Sequence, residues 1–375
     1  MKKIIVLFAA LISLSALSAA FSAPEISAEA AVLIHAESGR VLYAKDAGTP
    51  RLIASTTKIM TALVVLDNCE IDERFEIPPE CTGIEGSSMY LKAGESYSVR
   101  NLLYGMMLCS GNDAASALAL HCAGSIENFA GLMNERAKSL GLPNTSFENP
   151  HGLDGESQYA SALDLAIITA EAMKNSEFAE IVSSKSYSLG DKTYVNHNKL
   201  LWRLEGCMGV KTGYTIAAGR TLVSCVERAG MKLIFVTLSA PGDWEDHSAI
   251  YEWAYDEYEY AGVMPMGELC RLPVISGESE NVGIVGDPQS KLLFKRRIEL
   301  DFAIELPRFV YAGINEGEVA GSLIIRETDG EETVFPLYYS ESIPVAEESR
   351  LSPVQRFFKA WFLSNKYGFV SGIGR

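Results

Sequence analysis

No long low-complexity tract and no internal repeat runs through the 375 residues, which sets aside solenoid and fibrous chains. Basic residues are the scarcer charge: 32 Lys and Arg stand against 48 Asp and Glu, a formal net charge of −16. A surface that neutralises nucleic-acid phosphates needs clustered cations. No large basic patch is visible in the body of the chain, so nucleic acid is not an expected partner. The histidines His35, His121, His151, His197 and His247 are scattered, and none falls in an H-E-x-x-H arrangement, which argues against a zinc peptidase. No glycine-rich phosphate loop opens a helix after a strand either. Neither a metal nor a cofactor is expected.

Long apolar runs are also missing. The apolar stretch from Ile4 to Leu17, which carries no charge, is shorter than the roughly 20 residues that a membrane span requires. It follows Lys2 and Lys3 and precedes the small residues Ser18, Ala19, Ala20, Ser22 and Ala23, so 1–23 reads as a secretory signal cleaved near Ala20 to Ala23. The expected place of action is outside the cytoplasmic membrane. Cysteine is present but odd in number: Cys69, Cys81, Cys109, Cys122, Cys207, Cys225 and Cys270 leave at least one thiol unpaired within a monomer. Most lie in apolar surroundings, where cysteine behaves as a small buried hydrophobe. Mostly free thiols are expected rather than a disulfide framework.

What is present is ordinary for a folded chain of two domains, with 48% hydrophobic and 21% charged residues. Two apolar runs, 31–37 and 40–45, flank Ser38-Gly39 as a hairpin. Ile59, Met60, Leu63, Val64 and Leu66 recur at helical spacing, predicting a helix that begins near Ser55. The pattern from 101 to 180 is largely helical, interrupted at 141–158 by Gly, Pro and Asn. A second hairpin joins 221–227 to 232–239. Strands at both ends with helices between predict an α/β (α+β) domain over 24–262, a mixed antiparallel sheet with a helical insertion. From 263 to 345 helical periodicity is absent, and short β-like runs predict a small all-β domain.

In the final segment, 350–375, Val354, Phe357, Phe358, Trp361 and Phe362 share one helical face, with Gln355, Arg356 and Lys359 opposite. The segment carries five Arg or Lys residues and no acid in an otherwise acidic chain. That combination predicts an amphipathic helix lying on a membrane surface, where packing onto the β domain would leave the positive charge unexplained.

Three short motifs carry chemistry. Ser55-Thr56-Thr57-Lys58 sets a hydroxyl and an amine one helical turn apart, within reach of each other. A serine is a poor nucleophile until a base takes its proton. A lysine held near a second cation and partly desolvated has a lowered pKa and can be that base. Ser110-Gly111-Asn112 follows an apolar run, offering Ser110 as a proton relay and the Asn112 amide as a substrate contact. Lys211-Thr212-Gly213 sits before the second hairpin, on or entering a sheet strand. It brings a second cation, a hydroxyl for a carboxylate, and a glycine that lets a substrate backbone approach. Each alone is a weak signal; Ser279-Glu280-Asn281 repeats the second pattern inside the β domain, with no role assigned.

Together and in this order, the three motifs resemble those of penicillin-binding proteins and serine β-lactamases. The chain resembles the low-molecular-mass serine D-Ala-D-Ala carboxypeptidases over nearly its whole length. Supporting stretches are Gly86-Ser87-Ser88-Met89, Leu108 to Ala114, Asn149-Pro150-His151-Gly152-Leu153 and Asn196 to Leu201. The β domain and amphipathic tail match that family's arrangement as well.

The resemblance implies a penicillin-binding-protein fold and a defined set of roles. Ser55 would attack the carbonyl between the two terminal D-alanines of a peptidoglycan stem pentapeptide, with Lys58 as base and Ser110 passing a proton to the departing D-Ala. Backbone N–H groups of Ser55 and Tyr214 would form the oxyanion hole. Lys211 and Thr212 would hold the terminal carboxylate beside Gly213, and Asn112 the acyl-side amide. β-Lactams would trap Ser55. The implied site is the outer face of the cytoplasmic membrane or the cell wall space. The alternatives are a β-lactamase, a DD-endopeptidase and a non-catalytic cell-wall peptide-binding module. A class A β-lactamase needs a further glutamate for deacylation, and Glu156, Glu171, Glu177 and Glu180 lack its context.

Overall fold

The computed structural model describes residues 22–328, 330–346 and 361. The expected leader, apart from Ser22 and Ala23, and the expected amphipathic tail, apart from Trp361, lie outside the described residues. The chain divides into two compact units after Asp256.

The first unit is built on a five-stranded antiparallel sheet. Its strands are β1 (Ala30–His35), β2 (Val41–Lys45), β3 (Cys207–Thr215), β4 (Gly219–Arg228) and β5 (Met231–Leu238), in the order β2-β1-β5-β4-β3. Both expected hairpins are present, and the first and last parts of this unit meet in one sheet through β1 and β5, where Val32 pairs with Val236. Every residue of β1 is buried, as befits a central strand covered on both faces.

Helices α1 (Lys58–Asn68), α2 (Val99–Leu108), α3 (Asn112–Ala123), α4 (Ile126–Ser139), α5 (Ala162–Ala172) and α6 (Ser176–Ser183) are inserted between β2 and β3, and α7 (Asp243–Glu257) follows β5. Several begin with side-chain caps: Ser98 accepts from the Asn101 amide in a capping box, Ser161 from Asp164, and Asn175 from Glu177 and Phe178. The core between helices and sheet includes Ile59, Met60 and Leu63 of α1, Leu118 of α3, Leu165 of α5 and Val223 and Val236 of the sheet.

One boundary differs from expectation. Ala54–Thr57 is a 3₁₀ turn, and the α-helix starts only at Lys58. Ile53 offers no side-chain cap, so the exposed amides are drawn into the tighter turn instead.

The second unit is β-rich. It holds a six-stranded sheet in the order Leu300–Glu305, Val319–Glu327, Glu332–Tyr339, Asn281–Gly286, Glu268–Ile275 and Val310–Tyr311. Tyr258–Gly262 pairs with Lys291–Lys295 as a separate ribbon of that unit. Its core gathers Leu272, Val274, Val282, Ile284, Leu323, Ile325 and Leu337. No described helix is long and apolar enough to cross a membrane.

Candidate active site

The first unit brings the three motifs together. Ser55 lies in the 3₁₀ turn and Lys58 begins α1, so Lys58 Nζ reaches Ser55 Oγ at 2.9 Å. The lysine is wholly buried and makes two further hydrogen bonds, to Asn112 Oδ1 at 2.7 Å and to the main-chain carbonyl of His151 at 2.6 Å. All three acceptors are neutral. Burial, with the Lys211 charge nearby, therefore holds the Lys58 amine well below the usual lysine range.

Each partner of Lys58 is itself fixed. Asn112 opens α3, and its Nδ2 donates to the Glu85 carbonyl at 2.6 Å. The loop 149–153 is turned by Asn149, whose Oδ1 accepts from the amides of His151 and Gly152 and whose Nδ2 donates to the Leu153 carbonyl. Thr61 Oγ1 donates to the Pro150 carbonyl at 2.6 Å, pinning the loop to α1. Gly152 has φ +85°, and a Cβ there would lie 2.0 Å from the Ala54 carbonyl oxygen. Only glycine fits beside the nucleophile's turn at that point.

Ser110 and Gly111 form the turn between α2 and α3. Ser110 is held at φ +65° and Ala54 at φ +45°, two left-handed non-glycine residues flanking the same site. Such strain persists where packing over-determines it, often at functional sites. The Ser110 hydroxyl is buried, has no hydrogen-bond partner among the described residues, and lines the cleft.

Asp113, next in α3, organises the roof. Its carboxylate accepts from Ser88 Oγ at 2.6 Å and from the amides of Met89, Leu91 and Ala114 at 3.0, 3.1 and 2.9 Å. This anchors the 85–91 loop that supplies the Glu85 carbonyl to Asn112.

Lys211, Thr212, Gly213 and Tyr214 lie in β3, an edge strand bonded to β4 on one side only. Gly213 passes so close to the nucleophile that a Cβ there would be 3.0 Å from the Ser55 amide nitrogen. Lys211 is buried, with one hydrogen bond, to the Thr212 carbonyl at 2.9 Å. Burial lowers its pKa to about 7. Tyr214 is exposed, and in register it faces Arg220.

Sequence reasoning missed Arg220. Its guanidinium is bonded to Asp243 at 3.0 Å, stands 5.8 Å from the Trp244 ring and lines the cleft. The β3–β4 register opposite Tyr214 was the available signal.

The cleft encloses about 660 Å³ and is lined by Ser55, Ser110, Thr212, Gly213, Tyr214 and Arg220, with His197 and Trp202 among the remaining residues. It places the Ser55 hydroxyl, backbone amides and a cation around one concave space, with the desolvated Lys58 amine behind Ser55, which suits acyl transfer through a covalent serine intermediate. Among the described residues, no cluster of His, Cys, Asp and Glu is arranged to hold a metal ion.

Comparison with known proteins agrees with this geometry. Residues 18–242 match the family model described as D-alanyl-D-alanine carboxypeptidase. The chain is 30% identical to the D-alanyl-D-alanine carboxypeptidase DacF of Bacillus subtilis (strain 168), covering 81% of this chain and 82% of that one. It is 32% identical to DacC of Escherichia coli (strain K12), covering 80% of each. Penicillin binding protein 5 from Haemophilus influenzae superposes with a TM-score of 0.73 at 28% identity, over 86% of this chain and 99% of that one. The fold expected from the motifs is therefore present, and the chain belongs to the D-alanyl-D-alanine carboxypeptidase family of serine peptidases.

Proposed function

We propose that this protein removes the terminal D-alanine from peptidoglycan stem pentapeptides, with Ser55 as the acylated residue. The observation that carries the reading is the 2.9 Å contact between Ser55 Oγ and a buried Lys58 amine whose partners are all neutral. A neutral amine there takes the Ser55 proton as Oγ attacks the carbonyl carbon of the penultimate D-Ala. The developing oxyanion sits between the N–H groups of Ser55 and Tyr214, a role supported by the close approach of β3 at Gly213. The C–N bond then breaks, and the leaving D-Ala nitrogen takes a proton through Ser110. Water enters, and the ester on Ser55 is hydrolysed.

The unpaired edge of β3 suits an extended peptide added as a further strand. Thr212 and Lys211 receive the terminal carboxylate, with the Arg220 guanidinium as additional counter-charge. Asn112 steers Lys58 with its oxygen, leaving one amide proton for the acyl-side carbonyl. β-Lactams present a carboxylate and a strained amide to the same groups and trap the acyl-enzyme.

In the same reading, 1–23 is a leader removed on export, 24–262 is the catalytic domain and 263–345 a β module. The 350–375 segment lies on the outer face of the cytoplasmic membrane through its aromatic and cationic sides.

The test is D-alanine release from a peptide ending in D-Ala-D-Ala, with a Ser55→Ala control. Release lost in the control is expected. A folded, penicillin-acylated protein that releases no D-alanine would count against the carboxypeptidase assignment and favour a β-lactamase or endopeptidase.

A further inference from the structure

Helices α1 and α3 pack against each other and carry the catalytic motifs at their first residues. They touch at those ends, where Lys58 bonds to Asn112. They touch again at the other ends. Cys69 is the residue that closes α1 and Cys122 lies in the last turn of α3, with the two side chains close enough to influence each other. The helices are of nearly equal length, 11 and 12 residues, so contact at both ends requires them to run side by side in the same direction. At about 1.5 Å per residue, the thiols lie about 16 Å along the helices from the Lys58–Asn112 contact.

The chain around the two thiols is independently clamped. His121, next to Cys122, stacks on Phe75 with ring centroids 4.0 Å apart, and its Nε2 lies 3.3 Å from Glu73. The end of α3 is therefore held on the segment that follows Cys69. Both cysteines are partly exposed, whereas Cys81 and Cys225 are buried. Cys109 and Cys207 direct their thiols at the carbonyls of Gly105 and Gly209 instead.

We propose that Cys69 and Cys122 are a disulfide-forming pair, a redox staple joining the far ends of the two motif-bearing helices. The oxidant is a small or protein disulfide of the kind found outside the cytoplasmic membrane. The Cys122 thiol, held the more acidic of the two by its neighbour Cys69, loses its proton and attacks one sulfur of the oxidant. A mixed disulfide forms as the other sulfur departs as thiolate. Cys69 then loses its proton and attacks Cys122 Sγ, expelling the second thiolate. One S–S bond forms, the oxidant's S–S bond is reduced, and the two protons end on its two thiols. The expectation of mostly free thiols then holds for the other five cysteines.

The test uses the full-length protein, treated with oxidised glutathione or with dithiothreitol, then acid-quenched, alkylated and digested. After oxidation, seven thiols less two should leave five alkylatable, with one linked peptide pair containing Cys69 and Cys122. The oxidised protein should melt about 5–15 °C higher, given the length of chain the bond closes. Cys69→Ser and Cys122→Ser should each abolish the linked pair and that shift. Seven alkylated cysteines after oxidation, a lasting glutathione adduct on Cys122 with Cys69 free, or a link between other cysteines would each overturn the proposal. The peptide map is read on the unsubstituted chain, so it decides the matter even where a variant fails to fold. It is also indifferent to whether the enzyme releases D-alanine.

Discussion

Replacing Asp113 by asparagine probes how the roof of the site is held. The side chain is buried and accepts four hydrogen bonds, two on each oxygen. An asparagine oxygen in place of Oδ1 keeps the Met89 and Ala114 amides. The new Nδ2 can donate to Ser88 Oγ once that hydroxyl rotates. Leu91 N–H cannot be rescued, because its acceptor at 3.1 Å becomes another donor. One orphaned buried amide costs about 1–3 kcal/mol. The remaining bonds lose charge assistance, for a total of about 3–4 kcal/mol.

For a catalytic unit of this size that corresponds to a fall in Tm of about 6–16 °C. The 85–91 loop also supplies the Glu85 carbonyl that orients Asn112 and hence Lys58, so acylation by a fluorescent penicillin should slow about tenfold. Thermal unfolding and acylation rate are measured on the same preparation. A variant that melts within about 2 °C of the parent and acylates at its rate would refute the hub role of Asp113.

The two buried lysines should separate in stability although both are needed for activity. Lys211→Met removes a desolvated amine with one hydrogen bond and should leave Tm unchanged or raised, by up to about 2 kcal/mol in stability. Lys58→Met strands Asn112 Oδ1 and the His151 carbonyl and should cost about 1–3 kcal/mol; the reverse order of melting temperatures would contradict this. Acid should destabilise the fold through its buried imidazoles. Burial lowers the pKa of His247 to about 3 and that of His151 to about 4, the latter helped by the Lys58 charge. Unfolded imidazoles protonate near 6.5, so between about pH 6.5 and 4 the unfolded chain binds more protons. Stability is therefore lost as pH falls through that window, by about 1.4 kcal/mol per unit for each histidine. Denaturant midpoints at pH 7, 6 and 5 should track the slope, and His247→Gln should remove one histidine's share.

The parts of the site legible in the sequence were those carried by side-chain identity at short range. Ser55 and Lys58 are one turn apart, and the spacing alone put them in contact. Lys211 to Gly213 preceded a clear hairpin and fell on its strand. The periodicity of Ile59 to Leu66 marked α1 but not its true start, since the residues before Lys58 wind more tightly than an α-helix. What stayed hidden depends on main-chain atoms or on distant segments. The His151 carbonyl has no signature in residue type. Nothing in the order of residues announces that Asn112 meets Lys58, or that Asp113 gathers amides from a loop 22–25 positions earlier. Arg220 and Asp243 meet only once β4 and the start of α7 are folded together.

One partner of the Lys58 amine is a peptide carbonyl, and this bears on how the enzyme can drift under antibiotic pressure. A side-chain ligand disappears with a single codon change; the His151 carbonyl survives every substitution at position 151. Altering it means bending the 149–153 loop, which Asn149 shapes, and Gly152 in that bend lies against Ala54 of the turn bearing Ser55. Variants that retune the Lys58 amine from this side would disturb the turn carrying Ser55 along with it. Escape routes that keep the enzyme working are thereby pushed outward to the rim of the cleft, where the side chains of Tyr214 and Trp202 are exposed.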